Sequence, residues 1–315
     1  MQSLLRDNTE RAQYMKISMG SWAFSFGPYA DLPIPLSQVA TRLAAAGYDG
    51  IELGGFFPHL TLDRYPDSAS RAELRRFLSD LGLGVSGYTA DFTEVNPTAA
   101  GKKERYIDLF RRQLEVARDV GSPTLRVDSG AAPGSLSERD YQDAFSRLAE
   151  TWNACAQYAQ ADGIKMVWEF EPAFIFNKPS EILALHQRVN HPAFKILFDT
   201  AHAYMASVAG ARQQGQKETL PGGISELLKM LDGRIGGIHL VDSDGTLYGD
   251  ETSTHLPLGE GVVPFRSLIP QLLELPEVDW WCTDLSFWPS AWDMVESSLA
   301  SVRDMIRAAG SKRVR

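Results

Sequence analysis

A single eight-stranded (β/α) barrel, an α/β TIM barrel, is the fold this sequence predicts, on three observations. Short apolar runs alternate with amphipathic helical stretches along the whole chain, which is the pattern of parallel strands joined by crossover helices. Eight such runs occur, at residues 16–22, 49–53, 84–87, 124–128, 165–169, 195–199, 235–241 and 280–285, and eight is the number that closes a barrel. The two kinds of connection also differ: helices return to strands through tight glycine turns, whereas strands run into helices through long segments rich in aromatic and acidic residues.

The first run opens at Met15-Lys16-Ile17-Ser18-Met19-Gly20. Residues 1–14 are therefore expected to be a flexible N-terminal extension, with the start at Met1 or Met15 left open, and residues 15–315 to be the barrel. The second, third, fourth, fifth and seventh runs each follow a glycine, at Gly47, Gly82, Gly121, Gly163 and Gly233, where a helix can end in the left-handed conformation. In the sixth unit the irregular polar stretch 210–223 reads as a loop insertion between two helical pieces. The eighth run is Trp280-Trp281-Cys282-Thr283-Asp284-Leu285. The long segments at 54–70, 90–101, 128–137, 170–179 and 242–264 follow strands, and in a βα barrel such loops build the active site.

Composition narrows the function. The 315 residues are 44% hydrophobic, enough for a large single core. With 31 Lys and Arg against 40 Asp and Glu, the net charge is -9 and no basic cluster stands ready for phosphates, so nucleic acid is excluded as a partner. Cys155 and Cys282 lack ligand-like neighbours at CxxC spacing and read as reduced, buried and structural. No apolar stretch approaches the roughly 18 residues of a membrane span, and residues 1–14 are too polar for a signal peptide. A cytoplasmic protein without membrane contacts is expected.

Four polar residues close apolar runs: Glu169, Asp199, His239 and Asp284. Barrel closure brings those ends together at one mouth. A carboxylate ending one strand is commonly only the N-cap of the next helix, and a lone His239 would more often be a core histidine satisfied by backbone. Four on strands five to eight argue otherwise. Three crowded carboxylates repel unless a cation neutralises them, and one imidazole completes an O/O/N/O set for a hard or borderline divalent ion. Mn²⁺ is expected, with Mg²⁺ or Co²⁺ also suited, rather than a structural zinc. Glu171 reads either as a contact to substrate or to the residues around the cation, or as a solvated acid, since Pro172 argues for a loop there. His186 and His191, on or after the fifth helix, are assigned nothing. The loops also carry Trp22, Phe24, Phe26, Phe56, Phe57, Tyr88, Phe92, Phe174, Phe176, Phe287 and Trp288. Most should pack the rim, and some, Trp22 among them, should give a sugar or a flat aromatic group a platform.

The segments Gly163-Ile164-Lys165-Met166-Val167-Trp168-Glu169, Leu197-Phe198-Asp199-Thr200-Ala201-His202-Ala203, Ile238-His239-Leu240-Val241-Asp242 and Leu258-Gly259-Glu260-Gly261 resemble, in order and spacing, the xylose-isomerase-like sugar phosphate isomerase/epimerase superfamily. The resemblance covers the chain from Met15 onward. It implies that Glu169, Asp199 and His239 are metal ligands, that His202 stands beside metal and substrate, and that His255 and Glu260 touch substrate. Asp284 takes the place where the family's sugar epimerases usually carry a second glutamate.

The resemblance also implies a reaction: a divalent-metal-dependent sugar isomerase or epimerase that removes a proton α to a sugar carbonyl through an enediolate, with Glu169 as base and Asp284 as its counterpart. A lyase begins identically. The large subunits of C-glycoside deglycosidases are similar, and on that reading the chain eliminates an aromatic aglycone from a 3-oxo-glycoside with a small β-sheet partner subunit. A non-catalytic sugar-binding module is the weaker alternative, and an endonuclease would need more than the six histidines present and a basic groove. The expected partner is a small-molecule sugar or glycoside, with homo-oligomer formation left open.

Overall fold

The computed structural model describes residues 14–311. Each expected run overlaps a parallel strand: β1 (Lys16–Gly20), β2 (Gly50–Gly54), β3 (Gly84–Thr89), β4 (Thr124–Val127), β5 (Lys165–Glu169), β6 (Phe194–Asp199) and β7 (Ile235–Leu240). After a short antiparallel hairpin, β8 (Leu247–Tyr248) and β9 (Thr252–Ser253), the eighth barrel strand is β10 (Trp280–Thr283). The strands close in the order β1-β10-β7-β6-β5-β4-β3-β2, with β1 joining β10 from Lys16↔Trp280 to Met19↔Thr283. Around them lie α1 (Leu36–Ala46), α2 (Ser68–Asp80), α3 (Lys103–Val120), α4 (Glu138–Ala161), α5 (Pro179–Val189), α6 (Thr200–Tyr204), α7 (Gly223–Met230), α8 (Phe265–Leu272) and α9 (Val295–Ser311). No described helix is long and apolar enough to cross a membrane. The N-terminal extension read from the sequence lies, apart from Tyr14, outside the described residues.

Local chemistry sets the boundaries. α3 ends because Gly121 adopts φ 77° and donates to the carbonyls of Ala117 and Arg118, a left-handed cap that costs glycine nothing. α2 begins at Asp67, whose carboxylate accepts from the Ser70 N–H at 2.8 Å. Two strands stop two residues short of the expected ends. β1 finishes at Gly20 because Ser21–Phe24 wind into a 3₁₀ turn, which lays the Trp22 indole where a Cβ on Gly20 would stand. β10 finishes at Thr283, leaving Asp284 just beyond the sheet. The insertion in the sixth unit is present: α6 runs into a π turn over Met205–Ala209, and α7 resumes at Gly223.

The interior of the barrel is layered. At the N-terminal end the Trp280 indole fills the space beside Gly50 and Gly84, lying 2.7 Å from a Cβ placed on Gly50. Lys165 and Lys195 close the same floor by pairing with Glu277 at 3.7 and 3.2 Å. Above it a cavity of about 160 Å³ is bounded by Leu197, Gly237, Cys282, Glu52 and His239. The last two belong to the polar layer at the opposite end. Both cysteines are buried and free.

Candidate active site

Strand alternation carries the polar layer. Residues two apart share a face, so Val167, Leu197 and Gly237 hand the interior on to Glu169, Asp199 and His239 at the C-terminal mouth. The register pairs Asp199 with His239 across β6 and β7. Glu169, Asp199 and His239 are buried, and each places a ligand-capable atom within 4.8 Å of the others.

His239 lies between two acids, its Nδ1 2.9 Å from Glu169 Oε1 and its Nε2 3.2 Å from Glu52 Oε2. Burial disfavours its charged form, yet Glu52 and Glu169 hold its pKa well above the usual histidine value. Arg126, inside β4, donates from Nε to Glu169 Oε2 at 2.6 Å and from Nη2 to Glu171 Oε1 at 3.0 Å. Its Nη1 is 3.4 Å from Asp128. Burial pushes the Glu169 pKa up, but Arg126 and His239 together pull it well below the ordinary carboxylate range. Glu169 is held ionised.

Asp199 serves two purposes. Its Oδ1 caps α6 by accepting from the His202 N–H at 2.8 Å. Its Oδ2 is buried without a hydrogen-bond partner, an arrangement that is costly unless something else satisfies it. Burial raises this acid to about 7. An orphaned buried oxygen beside a second carboxylate and an imidazole fits a divalent cation, and Glu52 lies behind His239 where a carboxylate fixes the orientation of the ring.

Asp284 stands next to this group but in no ligand-capable cluster with it among the described residues. Its Oδ1 accepts from Trp22 Nε1 (3.2 Å), the Ser286 N–H (2.8 Å) and Ser286 Oγ (2.7 Å). Its Oδ2 lies 3.7 Å from His255 Nδ1. Burial would raise its pKa, but the His255 charge and these donors carry it below the normal value. Trp22 thus lines the mouth directly, with its ring centroid 5.3 Å from that of His239.

The structure gathers His202, Glu171 and His255 here as well. His202 Nδ1 is 2.8 Å from Ser253 Oγ and its Nε2 is 3.9 Å from Glu171 Oε2; burial drops its pKa to about 3. Glu171 is a partnered acid, accepting from Arg126 and from Thr252 Oγ1 at 2.7 Å, and burial raises it to about 7. His255 is buried at 6% exposure, unlike the usual exposed loop histidine. Glu260 stays apart, exposed on the turn where the Gly259 and Gly261 N–H groups donate to Asp242. Cys282 forms a further cluster with Glu52 and His239, but burial holds its thiol protonated and it remains a packing residue.

Two participants were absent from the sequence reading, Glu52 and Arg126. Each is a charged residue inside an apolar strand, and that anomaly was the available signal. Charges that close strands five to eight stand out in the sequence, whereas Glu52 and Arg126 lie within β2 and β4.

Fold and site together define a parallel barrel with an acid-lined, cation-ready mouth. The profile described as Xylose isomerase-like TIM barrel matches residues 40–283, and the chain belongs to that family. Fructoselysine 3-epimerase from Escherichia coli O157:H7 is 22% identical over 251 residues, covering 76% of this chain and 82% of the relative. Inosose dehydratase from Klebsiella pneumoniae (strain 342) is 23% identical over 269 residues, with 77% and 80% covered. Among solved structures, a D-tagatose 3-epimerase-like protein superposes with a TM-score of 0.72 at 18% identity, covering 95% of this chain and 99% of that one.

Proposed function

We propose that this chain is a divalent-metal-dependent sugar isomerase or epimerase that removes a proton from the carbon next to a sugar carbonyl. One observation carries the reading: Glu169, Asp199 and His239 converge while the buried Asp199 Oδ2 lacks any protein partner. These three residues, with Asp284 alongside, would hold the cation. Mn²⁺ suits the donor set best. When bound, the cation supplies Lewis-acid polarisation of the substrate carbonyl.

The chain's own groups supply the rest. Glu169, kept ionised by Arg126 and His239, accepts the proton. Asp284, fixed by Trp22 and Ser286, serves the opposite substrate face. His202, oriented by Ser253, offers its other nitrogen to a substrate hydroxyl. Trp22 gives the sugar a flat face, and Glu171 and His255 complete the polar lining. An epimerase among the relatives supports this reading.

A second reading stays with the same first step. The dehydratase relative supports elimination, in which the electron pair left on carbon expels a neighbouring group. The Tyr248–Phe287 stack, with centroids 4.4 Å apart and 5.9 Å between Phe287 and His255, supplies an aromatic wall for an aryl leaving group, as a C-glycoside deglycosidase would need.

Keto-sugars and 3-oxo-glycosides incubated with the enzyme in D₂O separate the two. Isomerisation or epimerisation incorporates deuterium α to the carbonyl and conserves total sugar, whereas elimination releases aglycone or water. Hydride transfer with a nicotinamide, or full activity after verified metal removal, would sink both.

A further inference from the structure

We propose that Arg212 is a positioning residue, which clamps the β8–β9 hairpin to the loop after β5 and so sets Glu171 and His202 for reaction. The geometry stands by itself, while its consequence rests on the reaction proposed above. A single nitrogen, Arg212 Nη1, donates to the Glu251 carbonyl at 2.8 Å and to the Pro172 carbonyl at 3.1 Å. Glu251 precedes Thr252, and Pro172 follows Glu171. The side chains of those two neighbours are themselves joined, Thr252 Oγ1 donating to Glu171 Oε2 at 2.7 Å. One guanidinium therefore ties the backbone on both sides of a hydrogen bond that fixes a site acid.

The hairpin needs such a tie. Its strands are two residues each, and a two-stranded ribbon is marginal without outside support. On one strand Tyr248 rests against Phe287, with ring centroids 4.4 Å apart. The chain then turns through Gly249 and Asp250, both at positive φ, and Arg212 takes hold at Glu251. Everything beyond that grip serves the site. Thr252 meets Glu171, and Ser253 Oγ lies 2.8 Å from His202 Nδ1, which fixes the way the His202 ring faces. A shift of the hairpin would release both side chains together.

The clamp is delivered from a fixed base. Arg212 stands in the polar insertion of the sixth unit at φ 50°, a left-handed conformation that a residue with a Cβ adopts at a cost. Beside it Gln213 Nε2 donates to the carbonyls of Ala206 and Glu218, both at 3.0 Å, and Gln214 Nε2 to the Leu136 carbonyl at 3.2 Å. A strained position persists where its surroundings over-determine it, and here the strain aims the guanidinium at two carbonyls from different loops. Both bonds have a charged donor, which makes them stronger than neutral ones.

Amide hydrogen exchange and steady-state kinetics of Arg212→Gly and Arg212→Lys, in the full chain with Mn²⁺ present, test this. Glycine accepts the left-handed backbone freely, so its losses report the guanidinium. Lysine keeps a charged nitrogen that can meet both carbonyls. In Arg212→Gly, peptides spanning 247–256 should exchange about 10-fold faster than in wild type while those of β5 and β6 keep the wild-type rate. For whichever keto-sugar or 3-oxo-glycoside the wild type turns over, kcat should fall about 10-fold with KM within about threefold. Arg212→Lys should recover most of both losses, with unfolding curves confirming the fold of each variant. Wild-type kcat in Arg212→Gly, or hairpin exchange no faster than in wild type, overturns the proposal. A rise in KM at unchanged kcat overturns it as well, since Arg212 would then touch substrate itself. A wild type inert toward every such sugar is instead the failure of the isomerase and lyase readings, and the exchange measurement then decides the clamp alone.

Discussion

Glu169 shows how much of the site's behaviour is fixed by neighbours. Both its oxygens are engaged, by Arg126 and His239, so it is ionised and rigid before any substrate arrives. Glu169→Gln removes the proposed base and a charged ligand together and should lower turnover by at least about 10²-fold, with folding intact by circular dichroism. Near-normal turnover with metal still bound would move the base to His202 or His255. Glu52 acts one step further out, through His239. Glu52→Gln should weaken Mn²⁺ affinity by about 10–100-fold, the usual loss when an orienting carboxylate is removed, measured by titration; unchanged affinity would reduce Glu52 to a packing role. Glu169, Asp199 and His239 were legible because a polar residue closing an apolar strand is conspicuous. Glu52 and Arg126 were not: each sits inside its strand, and its significance lies in partners 187 and 43 residues away.

At the scale of elements, the strands and the glycine turns were readable because each is a local pattern: Gly47, Gly82, Gly121, Gly163 and Gly233 all adopt positive φ where helix hands over to strand. The β8–β9 hairpin was not readable. Its strands are two residues each, too short to show alternation, yet they place Ser253 and His255. Helix α5 carries a different prediction. Its His186 Nε2 donates to the Phe194 carbonyl at 3.2 Å, and burial, reinforced by Arg234, lowers its pKa to about 4. The unfolded chain therefore binds a proton that the folded chain refuses between the ordinary value of 6.5 and about 4. The stability His186 contributes is complete above that window and is lost as pH falls through it. Metal-free wild type should lose more melting temperature than His186→Gln between about pH 7 and pH 5; parallel slopes would remove His186 from the account.

For the whole molecule, a ligand that binds only the folded state stabilises all of it. Mn²⁺ at about 100 times its dissociation constant adds about 2.7 kcal/mol, which for a chain of this size is on the order of 5 °C in melting temperature. Chelation should remove that increment and Mn²⁺ should restore it; an unmoved melting temperature would count against a resident cation. Closure of the barrel has a further consequence, in the order of biosynthesis. β1 is complete within the first twenty residues, but its partner on one side is β10, at 280–283. At about 5–20 residues per second that edge waits on the order of tens of seconds for the ribosome to deliver its neighbour. A message cut short before that point releases a chain with bare strand edges at β1 and β7, each a template for pairing with another nascent copy. Truncation before β10 is therefore hazardous out of proportion to the four residues of that strand.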